Sequence, residues 1–333
     1  MPTFGVGFFT RAAYYVRKGH ENTVDEMPAI GVIGVGRLGT ALCAGFARAG
    51  LPLAAIASRS TERAEELARI LAANYGCQAR AAAVSDMASY ADLIFVATPD
   101  GAISLAESSV AWRKGQTAVH VSGAETLGVL EAAAQADASR ASFHPLNTFA
   151  TVSWDETGLA FAADTLACSY VALATEDAEA EQKLRKIASF ISRGCFTVRE
   201  GDRPLYHAAA VFASNFVTGL VGASLNLWQT LGYSEREAMA FMAPLVTSAC
   251  ANTLRLGPVQ ALTGPAARGD VGTVAKHLVG LTALPPHQRG SEELYRTLTR
   301  SLIGLAREAG TLSAEAEEQL RQLLIKEHET CAK

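Results

Sequence analysis

Residues Ile30 to Gly39, IGVIGVGRLG, constrain this chain more than any other stretch. An apolar, β-branched run ends in Gly34-x-Gly36-x-x-Gly39 and passes directly into LGTALCAGFARAG. That order predicts a buried strand, a tight turn and a helix N-terminus. Gly34 allows the turn, Gly36 removes a Cβ so that the backbone can approach a pyrophosphate, and Gly39 lets the helix pack close to the strand. The helix start offers unpaired N–H groups to phosphate oxygens, which brings Arg37 and Leu38 into the candidate site. A glycine triplet alone also occurs in turns that bind nothing; here strand, triplet and helix coincide.

The end of the second strand selects between dinucleotides. Leu53 to Ala57 reads as that strand, and Ser58-Arg59-Ser60 follows it. An NAD site carries Asp or Glu about 20 residues past the glycines, to hold a ribose 2′-hydroxyl. No carboxylate stands at that point, and Arg59 between two hydroxyls suits the 2′-phosphate of NADP. The competing reading is a solvated Arg59, with Ser60 serving only as the N-cap of the helix TERAEELARILAA.

Composition fits a soluble enzyme with a cytoplasmic location. The chain has 333 residues, enough for two domains. Its net charge of −4 gives no footprint for nucleic acid or an anionic membrane. The cysteines Cys43, Cys77, Cys168, Cys195, Cys250 and Cys331 are scattered, without CxxC or Cys/His metal spacing, so reduced thiols and no metal site are expected. Residues 1–27 read as an N-terminal extension, because Met27 stands just before the first strand. They lack the charge order of a signal peptide; a short amphipathic surface helix is the alternative.

Strands and helices go on alternating beyond the first unit. Arg80–Val84, Asp92–Thr98, Thr117–Val121, Ala141–Phe143 and Leu166–Ala174 read as strands, and Glu176–Ser192 as a helix. This pattern predicts an α/β Rossmann-like, doubly wound parallel sheet over residues 28–200. Ligands bind such sheets at the carboxyl ends of the strands, so Thr98, Pro99, Asp100, Ser122, Gly123 and His144 become cleft candidates.

From about residue 201 the pattern turns helical, which predicts an all-α C-terminal domain over 201–333. Pro204 to Thr230 lies in a stretch without Lys, Arg, Asp or Glu between Arg203 and Glu235. It is long enough to span a bilayer, but no positive belt flanks it. At 100° per residue, His207, Ser214, Asn215, Thr218, Asn226 and Gln229 fall on roughly one third of the circumference. A buried helix with one polar stripe lining a cleft fits that pattern, and covering so apolar a helix favours a homodimer. His207 taken alone is also consistent with an ordinary histidine near a helix start.

The order Gly34-x-Gly36-x-x-Gly39, His120-Val-Ser122-Gly123, His144-Pro145-Leu146-Asn147-Thr148-Phe149, Tyr206-His207 through Ser214-Asn215, and Thr263-Gly264-Pro265-x-x-Arg268-Gly269-Asp270 resembles one group. These are bacterial proteins that join a Rossmann-like domain to a helical domain of unknown function (DUF2520). They are distantly similar to ketopantoate reductase, pyrroline-carboxylate reductase and the 6-phosphogluconate dehydrogenase group. The resemblance spans nearly everything from residue 28 onward and implies a nicotinamide cofactor and dimerisation through the helical domain. Hydroxyacid dehydrogenases of the wider group carry a catalytic Lys four residues before an Asn on the first long helix. Val211 stands four before Asn215 here, so that chemistry does not carry over.

The proton donor is then sought among His207, His144 and a water held by Ser122 and Asn215. Ser214 and Arg268 are the candidate substrate-binding residues. Arg268 suits a bidentate clamp on a substrate carboxylate, or else an ion pair with Asp270. His277 is open between a supporting role and the surface. The resulting expectation is an NADP-dependent reductase of a small carboxylate-bearing carbonyl or imine. A non-catalytic dinucleotide sensor and a deazaflavin-dependent NADP oxidoreductase are the alternatives.

Overall fold

A computed structural model describes residues 27–288 and 290–325; the expectations for residues 1–26 and for Cys331 lie outside them. The chain divides into two compact units between Ser214 and Asn215. The first is built on β1 (Ile30–Ile33), β2 (Leu53–Ala57), β3 (Arg80–Ala81), β4 (Leu93–Val96), β5 (Thr117–His120), β6 (Ser139–Leu146), β7 (Tyr170–Thr175) and β8 (Gly194–Thr197). Its helices are α1 (Arg37–Arg48), α2 (Thr61–Tyr75), α3 (Ile103–Ser108), α4 (Glu131–Gln135), α5 (Glu156–Ala167), α6 (Ala178–Ile191) and α7 (Arg203–Ala213).

The strands form one sheet in the order β3-β2-β1-β4-β5-β6-β7-β8. Every neighbouring pair is parallel except β6 with β7. All four residues of β1 are buried, because both faces of a parallel sheet are covered. Ile30 and Val32 belong to the apolar layer that includes Leu42 and Phe46 of α1 and Leu159 and Leu166 of α5. Ile33 faces the opposite layer with Met87, Ile94 and Ile103. Phe46, Phe95 and Phe143 link α1 to β4 and β6, with successive ring centroids 5.1 and 5.3 Å apart.

Several local expectations are corrected. Leu166 and Ala167 close α5, and the following strand starts only at Tyr170. Asp155 caps that helix by accepting from Gly158 N–H, and Leu159, Ala162, Ala163 and Leu166 form its buried face, a helical spacing. The third strand stops at Ala81, since a 3₁₀ turn begins at Val84. β6 is longer than Ala141–Phe143 and carries His144 and Pro145 inside it. Beyond Ser142, β6 pairs only with β7, so Pro145 deprives no β5 residue of a donor. β8 has no counterpart among the sequence-predicted strands.

The long apolar helix is interrupted. Ser214, at φ −132° and ψ −74°, leaves the helical region and ends α7. Its hydroxyl donates to the Ala210 carbonyl at 2.7 Å, a back-bond that bends helices. The polar stripe drawn on one continuous helix is therefore split between the two units.

The second unit is entirely helical: α8 (Asn215–Thr230), α9 (Glu235–Leu256), α10 (Pro258–Ala261), α11 (Val271–Thr282), α12 (Gly290–Glu308) and α13 (Ala314–Leu323). A capping box of Ser234 and Glu237 starts α9, and Asp270 caps α11. Val274, Leu278, Ile303, Leu320 and Leu324 form a small core. Much of its apolar surface stays exposed, including Leu231 at 71%, Leu245 at 71% and Leu254 at 88%.

Candidate active site

The glycine turn is built as its spacing demands. Gly34 has φ +102°, where a side chain is strained, and a Cβ there would meet the Ala97 carbonyl oxygen at 2.6 Å. A Cβ on Gly39 would lie 1.9 Å from the Gly34 carbonyl oxygen, so α1 rests directly on the turn. A Cβ on Gly36 would meet nothing within 4 Å: this position faces open space. Gly36 caps α1 without a side-chain hydrogen bond, and no acidic residue occupies the first turn. The leading N–H groups of Arg37 and Leu38 are thus left for an anion. Beside the turn, past the end of β4, Thr98 Oγ1 is buried without a hydrogen-bond partner. A cradle open at Gly36, unmet N–H donors and an orphaned hydroxyl fit the phosphate end of a dinucleotide.

At the end of β2, Arg59 is exposed and Ser58 is half-buried. Ser60 accepts from Arg63 N–H as the N-cap of α2 and donates to Glu62 at 2.7 Å, so its hydroxyl is engaged within the helix start. That bond holds the Glu62 carboxyl below its usual range. The Arg63 guanidinium lies over the Trp154 ring, 4.8 Å from its centroid.

A second cluster forms where β5 and β6 end. His144 and His207 approach Gly123 from two sides: a Cβ at Gly123 would sit 2.7 Å from His207 Nδ1 and 2.8 Å from His144 Cε1. Only glycine leaves the two imidazoles room there. Tyr206 holds the other edge of His144, with its hydroxyl 2.6 Å from Nδ1. Arg203, in the first turn of α7, is fully buried. It donates to the Ser122 carbonyl at 2.7 Å and to Ser142 Oγ at 2.8 Å. Its Nη1 lies 3.8 Å from Glu200, whose carboxylate also accepts from Leu127 N–H at 2.8 Å. This network ties α7 to the ends of β5 and β6 and so brings Tyr206 and His207 to His144.

Burial and a shared positive surrounding set the charge state. His144 is pushed down to about 4, first by burial and then by His207 and Arg203. His120, fully buried on β5, is pushed down to about 3 by burial, Arg203 and His144. Burial raises Tyr206 to about 12, against a smaller opposing pull from Arg203. At neutral pH, His144 and His120 are neutral and Tyr206 keeps its proton. His144, one of the candidate proton donors, is thus a neutral imidazole.

The remaining candidates separate. Ser122 Oγ accepts from Ala124 and Glu125 N–H, both at 3.1 Å, and shapes the loop after β5. Pro99 is exposed beside Thr98. Asn215 and Arg268 belong to the second unit. Arg268 is exposed and has no ion pair to Asp270 within 4 Å, because Asp270 caps α11 through Thr273. His277 Nδ1 lies 2.8 Å from the Tyr295 hydroxyl. Among the described residues, no three His, Cys, Asp or Glu side chains are grouped to hold a metal ion. Sequence reasoning missed Arg203 and Tyr206 as site residues. The available signal was Arg203 as the last charge before 31 uncharged residues, at the start of a helix already carrying His207.

Comparison with protein families matches a Rossmann-like domain at residues 20–145 and a domain of unknown function, DUF2520, at 169–302. The chain joins a Rossmann-like domain to DUF2520. Solved structures are similar to it over most of its length. BF3122 of Bacteroides fragilis, provisionally named an NADP oxidoreductase, is 25% identical, with a TM-score of 0.65 over 85% of this chain and 100% of that one. The pyrroline-5-carboxylate reductase of Streptococcus pyogenes is 18% identical, with a TM-score of 0.53 over 86% and 99%. A reductive aminase from Aspergillus terreus, solved with NADPH4, cyclohexanone and allyl amine, is 16% identical, with a TM-score of 0.54 over 90% and 92%. The last two likenesses are of fold. No curated protein matches the chain.

Proposed function

We propose that this Rossmann-like and DUF2520 chain is an NADP-dependent oxidoreductase that reduces a small carboxylate-bearing carbonyl or imine. One observation carries the reading. The glycine cradle after β1, the orphaned Thr98 hydroxyl after β4 and the His144–His207 pair around Gly123 occupy one carboxyl edge of four successive parallel strands. Gly34, Gly36, Gly39 and the N–H groups of Arg37 and Leu38 would hold the pyrophosphate, with Thr98 and Pro99 beside it. Ser58 and Arg59 would take the 2′-phosphate, with Ser60 ordering the helix start behind them. A bound reduced nicotinamide supplies hydride to the substrate carbon. Neutral His144, with His207 beside it, supplies the ring nitrogen that the heteroatom needs.

The reading includes a cytoplasmic homodimer with no membrane or nucleic-acid partner. The exposed leucines of the second unit support it, because so much apolar surface suits a second copy. Glu200–Thr230 is long and apolar enough to cross a membrane by length and composition. Arg203, buried and bonded to β5 and β6, supports the membrane-free reading. Light scattering that gives a monomer would remove the dimer, and fractionation with lipid would remove the soluble assignment.

The test of function is titration of wild type and Arg59→Ala with NADPH and with NADH. A charge-assisted hydrogen bond is worth about 1.5–3 kcal/mol, so the variant should lose about 10–100-fold in NADPH affinity and nothing in NADH affinity. Binding of neither nucleotide overturns the oxidoreductase reading. Equal losses for both overturn the role of Arg59.

A further inference from the structure

His144 has two differently used edges. Nδ1 meets the Tyr206 hydroxyl at 2.6 Å, with the rings edge to face at 5.7 Å. The opposite edge, Cε1 and Nε2, packs against the bare Cα of Gly123, so closely that a Cβ there would lie 2.8 and 3.0 Å away. Nε2 makes no hydrogen bond among the described residues, and the ring is only half-buried. A neutral imidazole carries one N–H, and its position is set by whatever the other nitrogen bonds. The Tyr206 phenol keeps its proton at neutral pH and can donate it to Nδ1; with Nδ1 accepting, the single N–H falls on Nε2.

We propose that Tyr206 is a positioning residue that fixes His144 as the Nε2–H tautomer and restores its proton after each transfer from Nε2 to a substrate. The proposal rests on the reductase reading above and assigns the source of its proton. Reduction of the substrate carbon would leave the electron pair of the former double bond on oxygen or nitrogen. The Nε2–H bond breaks and an O–H or N–H bond forms on the substrate. The Tyr206 O–H bond breaks as Nδ1 takes that proton, which leaves a phenolate. Arg203 lies close enough to favour that phenolate. Tyr206, itself half-buried, then regains a proton from water and the tautomer resets. His144 never passes through a free imidazolium, which its buried, positive surroundings disfavour. An Nε2–H donor therefore suits a heteroatom that becomes basic on reduction, as in a ketone or an imine.

The experiment is a long-range proton–nitrogen NMR spectrum of the full chain carrying ¹⁵N-labelled histidine, at neutral pH, without nucleotide. His144→Gln identifies the His144 signals by their loss. The expected wild-type pattern is a protonated Nε2 and an unprotonated, hydrogen-bonded Nδ1. Tyr206→Phe, which keeps the ring, should move Nδ1 toward its unbonded position and mix the tautomers. A wild-type N–H on Nδ1 overturns the proposal without any variant, since His144 would then donate to Tyr206. An unchanged Nε2–H signal in Tyr206→Phe overturns it too, because the tautomer would be set elsewhere. Neither readout depends on nucleotide, so failure here is distinct from failure to bind NADPH.

Discussion

The two ends of the candidate site are made differently. The glycine turn draws on six successive positions, Gly34 to Gly39, and the backbone of one strand, one turn and one helix does all the work. The histidine end gathers Gly123, Ser142, His144, Glu200, Arg203, Tyr206 and His207 from three separate segments, and side chains hold it together. A site made of contiguous backbone is rigid because few torsions can change. A site made of side chains from distant segments depends on a buried anchor, and here that anchor is Arg203.

Substitutions can break this contrast, and the largest effect belongs to the backbone site. In Gly39→Ala the new methyl has only the Gly34 carbonyl to push against, and backbone cannot step aside. Urea unfolding should show a loss of about 3 kcal/mol or more, at the upper end of overpacking costs. A loss below about 1 kcal/mol would mean that α1 does not rest on the turn. Next is Arg203→Met, which removes two charged hydrogen bonds and leaves Glu200 without its cation. A loss of about 2–3 kcal/mol is expected in the same assay, with NADPH affinity retained. Retained stability would show that α7 is held by other contacts.

Acidification should act on the histidine end alone at first. His144 and His120 titrate near 4 and 3 in the folded chain, against an ordinary 6.5. The unfolded chain therefore binds more protons in the window between those values, and stability falls as pH drops below about 6.5. A decrease of about 1–2 kcal/mol by roughly pH 5 is expected, allowing for partial solvent access, and His144→Gln should remove about half of it, leaving the His120 share. A stability that does not change over that window would show that these imidazoles are not held neutral. The smallest effect on folding is expected for Gly36→Ala, whose methyl enters open space; exchanging Gly for Ala at an N-cap costs about 0.5–1 kcal/mol. Its NADPH affinity should nonetheless fall, as measured by fluorescence titration. Unchanged affinity would place the pyrophosphate elsewhere.

The same contrast explains what could be read in advance. β1, the glycine turn and α1 follow from local pattern, since each residue's role is set by its near neighbours. The sheet class follows too, because buried parallel strands are apolar throughout. Leu166 was misplaced because a short apolar run does not distinguish a strand from a buried helix face. The break at Ser214 was invisible, since the apolar pattern runs through it and only its backbone dihedrals leave the helical region.

By itself, then, the sequence determined a Rossmann-like sheet, the position of its glycine turn and a helical second half. Those features are encoded by periodicity and by glycine, which act over a few residues. Only the tertiary structure decided that Arg203 would be buried under β5 and β6, that Tyr206 would meet His144, and that His144 would be neutral. Those properties depend on which distant segments exclude water together, and no local pattern carries that information.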